Sequence, residues 1–170
     1  GVIQPVRDLA AVAHARGVLF HTDAVQAVGK ISLDVGEMDV DLLTMSGHKF
    51  HGPKGVGALY RKKGVMLTPL VHGGSQEQGI RAGTENMPGI AGIGKAAETA
   101  LASLEEMGRI KGLRDRLEKK MVQLVPGARL NGHAAERLPN TLSMTLPGIR
   151  GESLVIALDQ RGVACSSGSA

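Results

Sequence analysis

Val18-Leu19-Phe20-His21 is a short apolar run that passes directly into Thr22-Asp23-Ala24. A run of this length set between turn signals reads as a buried strand. Upstream, Pro5 suits the first turn of a helix whose Val6, Leu9, Ala10 and Ala13 share one face and which Gly17 stops. Downstream, Val40 to Met45 is a second apolar run that opens into Ser46-Gly47-His48-Lys49. Alternating helix and strand over residues 1–60 predicts an α/β architecture, a sheet covered by helices. In open sheets of this class ligands bind beyond the carboxyl ends of the strands, which puts Asp23 and Lys49 where chemistry is expected.

Further out, Val56 to Tyr60 and Val65 to Leu67 flank Arg61-Lys62-Lys63-Gly64 in a hairpin pattern. A loop runs from Gly73 to Met87. Helices are expected from Pro88 to Met107 and from Arg109 to Val125, the second stopped by Pro126-Gly127. The remainder reads as a strand over Thr141 to Leu146, a helix over Gly151 to Gln160 and a short strand over Val163 to Cys165. The expected division is a larger unit over 1–104 and a small α+β unit over 105–170.

Composition narrows the function classes. The 170 residues include 20 Lys+Arg, 16 Asp+Glu, one Cys, two Phe, one Tyr and no Trp. No stretch approaches the ~18 consecutive apolar residues of a membrane span, and no secretory signal pattern is visible. A single Cys excludes an internal disulfide and a multi-thiolate metal site, and fits a reducing, cytoplasmic compartment. The charge of +4 is mild and aromatics are too few for stacking platforms, so direct nucleic-acid binding is not expected. Gly makes up 24 residues, roughly twice the usual share of about 7%, and suits close backbone packing. The chain starts at Gly1 without Met and stops in a Gly/Ser-rich loop, so it reads as a piece of a longer protein.

Asp23 and Gln26 form Asp-x-x-Gln after the first strand. A helix N-cap followed by a solvent-facing Gln also accounts for that pair. Ser46-Gly47-His48-Lys49 carries more information. A partly desolvated Lys near another cation loses its proton readily and can act as an amine nucleophile that forms a Schiff base. Ser46, His48 and nearby N–H groups could hold an anion, and Asp23 could pair with a protonated ring nitrogen. These are the parts of a pyridoxal phosphate site.

Four segments carry a resemblance: His21-Thr22-Asp23-Ala24-Val25-Gln26; Ser46-Gly47-His48-Lys49-Phe50-His51-Gly52-Pro53-Lys54-Gly55; the loop from Gly73-Gly74-Ser75-Gln76 to Gly83-Thr84-Glu85-Asn86; and Ser166-Ser167-Gly168-Ser169-Ala170. In order and spacing they resemble cysteine desulfurases of the NifS/IscS type, within the class V aminotransferase family. The resemblance implies a fold-type I pyridoxal phosphate enzyme: here the C-terminal part of its large domain, a mixed and mostly parallel sheet with helices, plus most of its small domain. It implies Lys49 as the Schiff-base lysine and proton shuttle, Asp23 as partner of the pyridinium nitrogen and Gln26 as partner of the phenolic oxygen. It implies Ser46 and His48 as phosphate ligands, and Thr84 as a phosphate contact given across a homodimer interface. The implied substrate is L-cysteine, converted to L-alanine, and the implied partner is a sulfur acceptor or an iron–sulfur scaffold; tRNA thiolation is another implied destination. A selenocysteine lyase, another class V lyase and a fragment with only a structural or interaction role are the alternatives.

Lys54, five residues after Lys49, is a rival that the pattern does not favour. Cys165 precedes the Ser-Ser-Gly-Ser-Ala motif, whereas the family's nucleophilic Cys directly follows it; Cys165 is therefore expected to be a small buried hydrophobe. The family's phosphate-binding turn, ring-stacking His and substrate-carboxylate Arg are not represented, and Arg81 belongs to a different motif. His14, His72 and His133 are expected to be structural or solvated. His48-x-x-His51 makes a weak metal site, and no metal is expected. Gly89 to Lys95 has phosphate-loop spacing, but Ala96 follows it and no strand precedes it, so one continuous helix is expected there.

Overall fold

A computed structural model of the chain describes residues 1–168. Helix α1 spans Val6–His14 and buries Ala10 completely. Gly17, at φ +67, turns the chain back. Strand β1, His21–Asp23, pairs in parallel with β2, Leu42–Ser46, in the register His21↔Leu42 and Asp23↔Thr44. The short helix α2, Val35–Met38, lies between them, its Asp34 cap accepting from Gly36 N and Glu37 N. Strand β3, Gly57–Arg61, closes the sheet antiparallel to β2. The order β1-β2-β3 is thus a mixed sheet.

Its core is Ala24, Val40 and Leu43, with Val6, Phe20, Val28, Leu33, Val35 and Met38 packed around them. The alternation that places Leu43 inward leaves its neighbours on β2 half-buried. The first strand starts later than the apolar run predicts. Phe20 O takes N–H bonds from Asp41 and Leu42 (3.0 and 3.2 Å), which sets the ladder's start; Val18 and Leu19 remain outside it and exposed.

Val65–Leu67 is not a strand, contrary to the hairpin pattern. Gly64 turns at φ +91, and the Arg61 side chain takes Val65 O at 2.7 Å. That carbonyl is therefore spent on a side chain rather than on a ladder. Downstream, helix α3 spans Met87–Ala102, a 3-10 turn covers Leu104–Glu106, and α4 spans Met107–Leu124. Residues 89–95 lie inside α3, so the phosphate-loop spacing is helix interior.

Strands β4, Arg129–Leu130, and β5, Met144–Thr145, form a two-stranded antiparallel sheet, followed by α5, Gly151–Asp159. The expected strand over Val163–Cys165 does not form. Val163 N bonds back to Leu158 O (3.0 Å) around Gly162 at φ +75, and the chain leaves α5 as irregular backbone. Cys165 is consequently exposed rather than buried.

Gly1–Ile3 runs beside the downstream half of the chain. Val2 bridges Arg137, Ile3 N donates to Glu136 O (2.9 Å), and Leu138 N donates to Gly1 O (2.7 Å). From α4, buried Arg114 donates through Nη1 to Leu138 O at 2.7 Å.

A charged cluster ties the opposite end of the sheet from Lys49. His14 Nε2 lies 2.7 Å from Asp41 Oδ2, His14 Nδ1 lies 3.2 Å from Asp39 Oδ2, and Lys62 Nζ reaches Asp39 Oδ1 at 2.7 Å. The Asp41 hydrogen bond raises the His14 imidazole above its ordinary pKa. Phe20 N–H, donating to Asp41 at 2.8 Å, is the main cause holding that carboxyl below its usual range, and Lys62 does the same for Asp39. His14 is thus structural, as expected.

Candidate functional site

Lys49 stands in the 3-10 turn Gly47–Phe50 that follows β2 without a break. Gly47 N donates to Val56 O (2.9 Å), and Gly47 O accepts from Gly52 N (2.8 Å). A Cβ on Gly52 would meet Gly47 O at 2.9 Å, and one on Gly47 would meet Pro53 O at 3.1 Å. Both glycines of Ser-Gly-His-Lys-Phe-His-Gly are therefore required by close backbone approach. His51 takes the left-handed conformation, φ 69, and Phe50, 1% exposed, anchors the turn in the interior. The backbone that carries Lys49 is pinned on both sides.

At the end of β2, Ser46 Oγ and His48 Nδ1 lie 2.9 Å apart. The register sets Asp23 opposite Thr44, two residues before Ser46, and Ala24 N donates to Thr44 O (3.0 Å). Asp23, Ser46, His48 and Lys49 accordingly gather at the carboxyl ends of the parallel pair. Asp23 Oδ1 accepts from Val25 N at 2.8 Å, which caps a succession of turns rather than the helix that a cap predicts. Gln26 is exposed on those turns. Asp23 and Gln26 line a cavity of about 140 Å³. Lys49 lines a different one of about 940 Å³, with Lys30, Phe50, Pro53 and Lys95. Thr84 is exposed on the loop before α3 and lines neither cavity. Ser166, Ser167 and Gly168 follow α5 as exposed loop, while Ser169 and Ala170 of the same motif lie outside the described residues.

Sequence reading passes over Lys30. Its Nζ donates to the carbonyl of Lys49 at 3.0 Å, and burial pushes its ammonium below the usual pKa. The one local signal is Gly29 before it, whose φ of +73 lets the chain turn inward. Among the described residues, no three His, Cys, Asp or Glu side chains converge as a metal cage. No helix of the described residues is long and apolar enough to cross a membrane.

The model of the aminotransferase class-V family matches residues 1–170. The chain belongs to the class-V aminotransferase family. This class-V chain is 52% identical, over all of its length, to a cysteine desulfurase of Gluconacetobacter diazotrophicus, of which it covers 43%. It is 50% identical to cysteine desulfurase IscS of Methanosarcina thermophila, covering 42% of that protein. A solved NifS-like protein superposes with a TM-score of 0.90 at 43% identity, over 96% of this chain and 45% of the other. The structure of SspA in complex with cysteine matches with a TM-score of 0.76 at 35% identity, over 100% of this chain and 46% of that one. The class-V chain thus spans less than half the length of these relatives, and its fold is the mixed α/β fold of the NifS-like structures.

Proposed function

We propose that the chain supplies the lysine-bearing part of a pyridoxal phosphate-dependent cysteine desulfurase, which turns L-cysteine into L-alanine and a protein-bound persulfide. The observation that carries this reading is the gathering of Asp23, Ser46, His48 and Lys49 at the ends of two paired parallel strands. It is supported by about 50% identity to cysteine desulfurases along the whole chain.

The donor set suits the cofactor. A hydroxyl and an imidazole side by side, Ser46 and His48, match a phosphate; a carboxylate on the neighbouring strand end, Asp23, matches a protonated ring nitrogen; an amine on the next turn, Lys49, matches an aldehyde. When bound, pyridoxal phosphate supplies an electron sink for the charge left at the substrate α-carbon. Within this reading Asp23 keeps the ring nitrogen protonated, and Gln26 donates to the phenolic oxygen. Ser46 and His48 hold the phosphate, joined by Thr84 of a second copy in a homodimer. Lys49 Nζ carries the proton to and from the α-carbon. Sulfur is accepted by a Cys directly after Ser-Ser-Gly-Ser-Ala, not by Cys165. It then passes to an acceptor or iron–sulfur scaffold protein in the cytoplasm.

The same reading divides the chain into units 1–104 and 105–170. Its support is that each sheet lies wholly on one side of the 3-10 turn Leu104–Glu106.

Borohydride reduction in the presence of pyridoxal phosphate, followed by peptide mass spectrometry, tests the site. A stable adduct at Lys49 is expected, lost in Lys49→Ala and kept in Lys54→Ala. Adducts scattered over surface lysines, or an adduct at Lys54, would sink the assignment.

A further inference from the structure

Lys30 stands at the end of the turns that begin with Asp23, and its head group is on the neighbouring turn. Ala27 N and Val28 N both return to Ala24 O (2.9 and 3.0 Å), and Lys30 N returns to Ala27 O (2.9 Å). The segment from Asp23 to Lys30 is therefore one wound, hydrogen-bonded piece. It meets the Lys49 turn at Gly29, where an added Cβ would lie 3.0 Å from Phe50 Cβ and 3.1 Å from Ala100 Cβ. That contact brings the Lys30 stem against the turn, and Nζ donates to Lys49 O. Lys30 and Lys49 also line the same cavity. No acidic side chain pairs with Lys30 among the described residues. Lys30 is half-buried, and a partly desolvated ammonium with no carboxylate partner gains from a directed bond to one main-chain carbonyl, which makes that bond a specific placement.

We propose that Lys30 is a positioning residue that fixes the Asp23–Gln26 segment relative to Lys49. Through one charge-assisted bond it ties the piece that carries the ring partners to the turn that carries the amine. It acts on the backbone of Lys49 and leaves the amine free. The inference rests on the pyridoxal phosphate reading above, because only there do the two pieces share one ligand.

Lys30→Met keeps the stem and removes the donor. Three readouts are compared with the unaltered protein: pyridoxal phosphate affinity by equilibrium titration, the distribution of borohydride-trapped adduct among lysines, and the melting temperature without cofactor. The expected result is an affinity loss of about tenfold, with label shifting from Lys49 to surface lysines, and restoration of most of the affinity in Lys30→Arg. A structural role alone would lower the melting temperature and leave affinity and label site unchanged; that outcome overturns the proposal. Should Lys30→Met not fold, Lys30→Gln decides, since its amide ends one bond short of the Lys49 carbonyl. It is expected to show the same loss, and unaltered affinity in it overturns the proposal. If the unaltered protein itself is not labelled at Lys49, the cofactor reading fails and this inference falls with it. Labelling of Lys49 that is indifferent to Lys30 removes this inference alone.

Discussion

His14 Nε2 lies 2.7 Å from Asp41 Oδ2 and joins the last turn of α1 to the residue that leads into β2. The same carboxylate oxygen takes the Phe20 N–H at 2.8 Å. One group therefore holds a helix end, a connecting segment and a strand start.

The first prediction concerns pH. The pKa of folded His14 is raised above 6.5, so its contribution is complete below pH 6.5 and is lost as the pH climbs through the raised value. Asp39 and Asp41 are held below 3.8, so theirs is complete above pH 3.8 and lost as the pH falls through the lowered values. Urea unfolding from about pH 5 to about pH 9 checks the upper arm. The unaltered protein should lose stability across that range, and His14→Gln should lose markedly less. Parallel pH curves for the two would contradict the assignment.

Gly29 and Gly55 test whether space or backbone conformation governs a substitution. Both have positive φ, +73 and +79, but Gly29 faces Phe50 and Ala100 while Gly55 faces nothing within 4 Å. Gly55→Ala should cost about 1 kcal/mol, from backbone conformation alone. Gly29→Ala should cost about 2–4 kcal/mol, since steric crowding adds to that. Equal melting temperatures in the two variants would show that the Gly29 contact relaxes freely.

Asn86 caps α3 by accepting from Gly89 N at 3.0 Å. Asn86→Ala should reduce stability by about 1 kcal/mol, and Asn86→Asp should recover most of it. Amide exchange in the first turn of α3 reads this locally, and unaltered protection there would count against the cap.

The Ser46–His48 pair is predicted to serve the phosphate and not the ring. Ser46→Ala should weaken pyridoxal phosphate binding by about tenfold and leave the binding of pyridoxal, which has no phosphate, nearly as it was. A parallel loss for both compounds would place Ser46 elsewhere in the site.

Much of this was readable in the order of the residues. The apolar runs Val18–His21 and Val40–Met45 announce two strands, and the candidate residues Asp23 and Ser46 do lie at their ends, because a short run between polar turns has few other ways to be buried. The strand expected over Val65–Leu67 failed because a side chain, Arg61, took a carbonyl that the pattern reserves for a ladder. Val163–Cys165 failed because Gly162 and the Leu158 carbonyl wrap the end of α5, and three apolar residues do not make a strand without a neighbour to pair with. Strand β4 was missed because two residues, Arg129–Leu130, carry no periodicity. Lys30 was missed for a different reason: its place is set by a bond from a side chain to a distant carbonyl, and spacing does not encode that.

The pairing of Gly1–Ile3 with Glu136–Leu138 also orders events in time. During synthesis at about 5–20 residues per second, residues 1–3 precede their partners by on the order of ten seconds. The three strands β1 to β3 are all complete by Arg61, so that sheet's strands exist before Glu136–Leu138 are made. Closing that pairing is therefore a late stitch, made across a stretch of chain that already holds both sides of the first sheet.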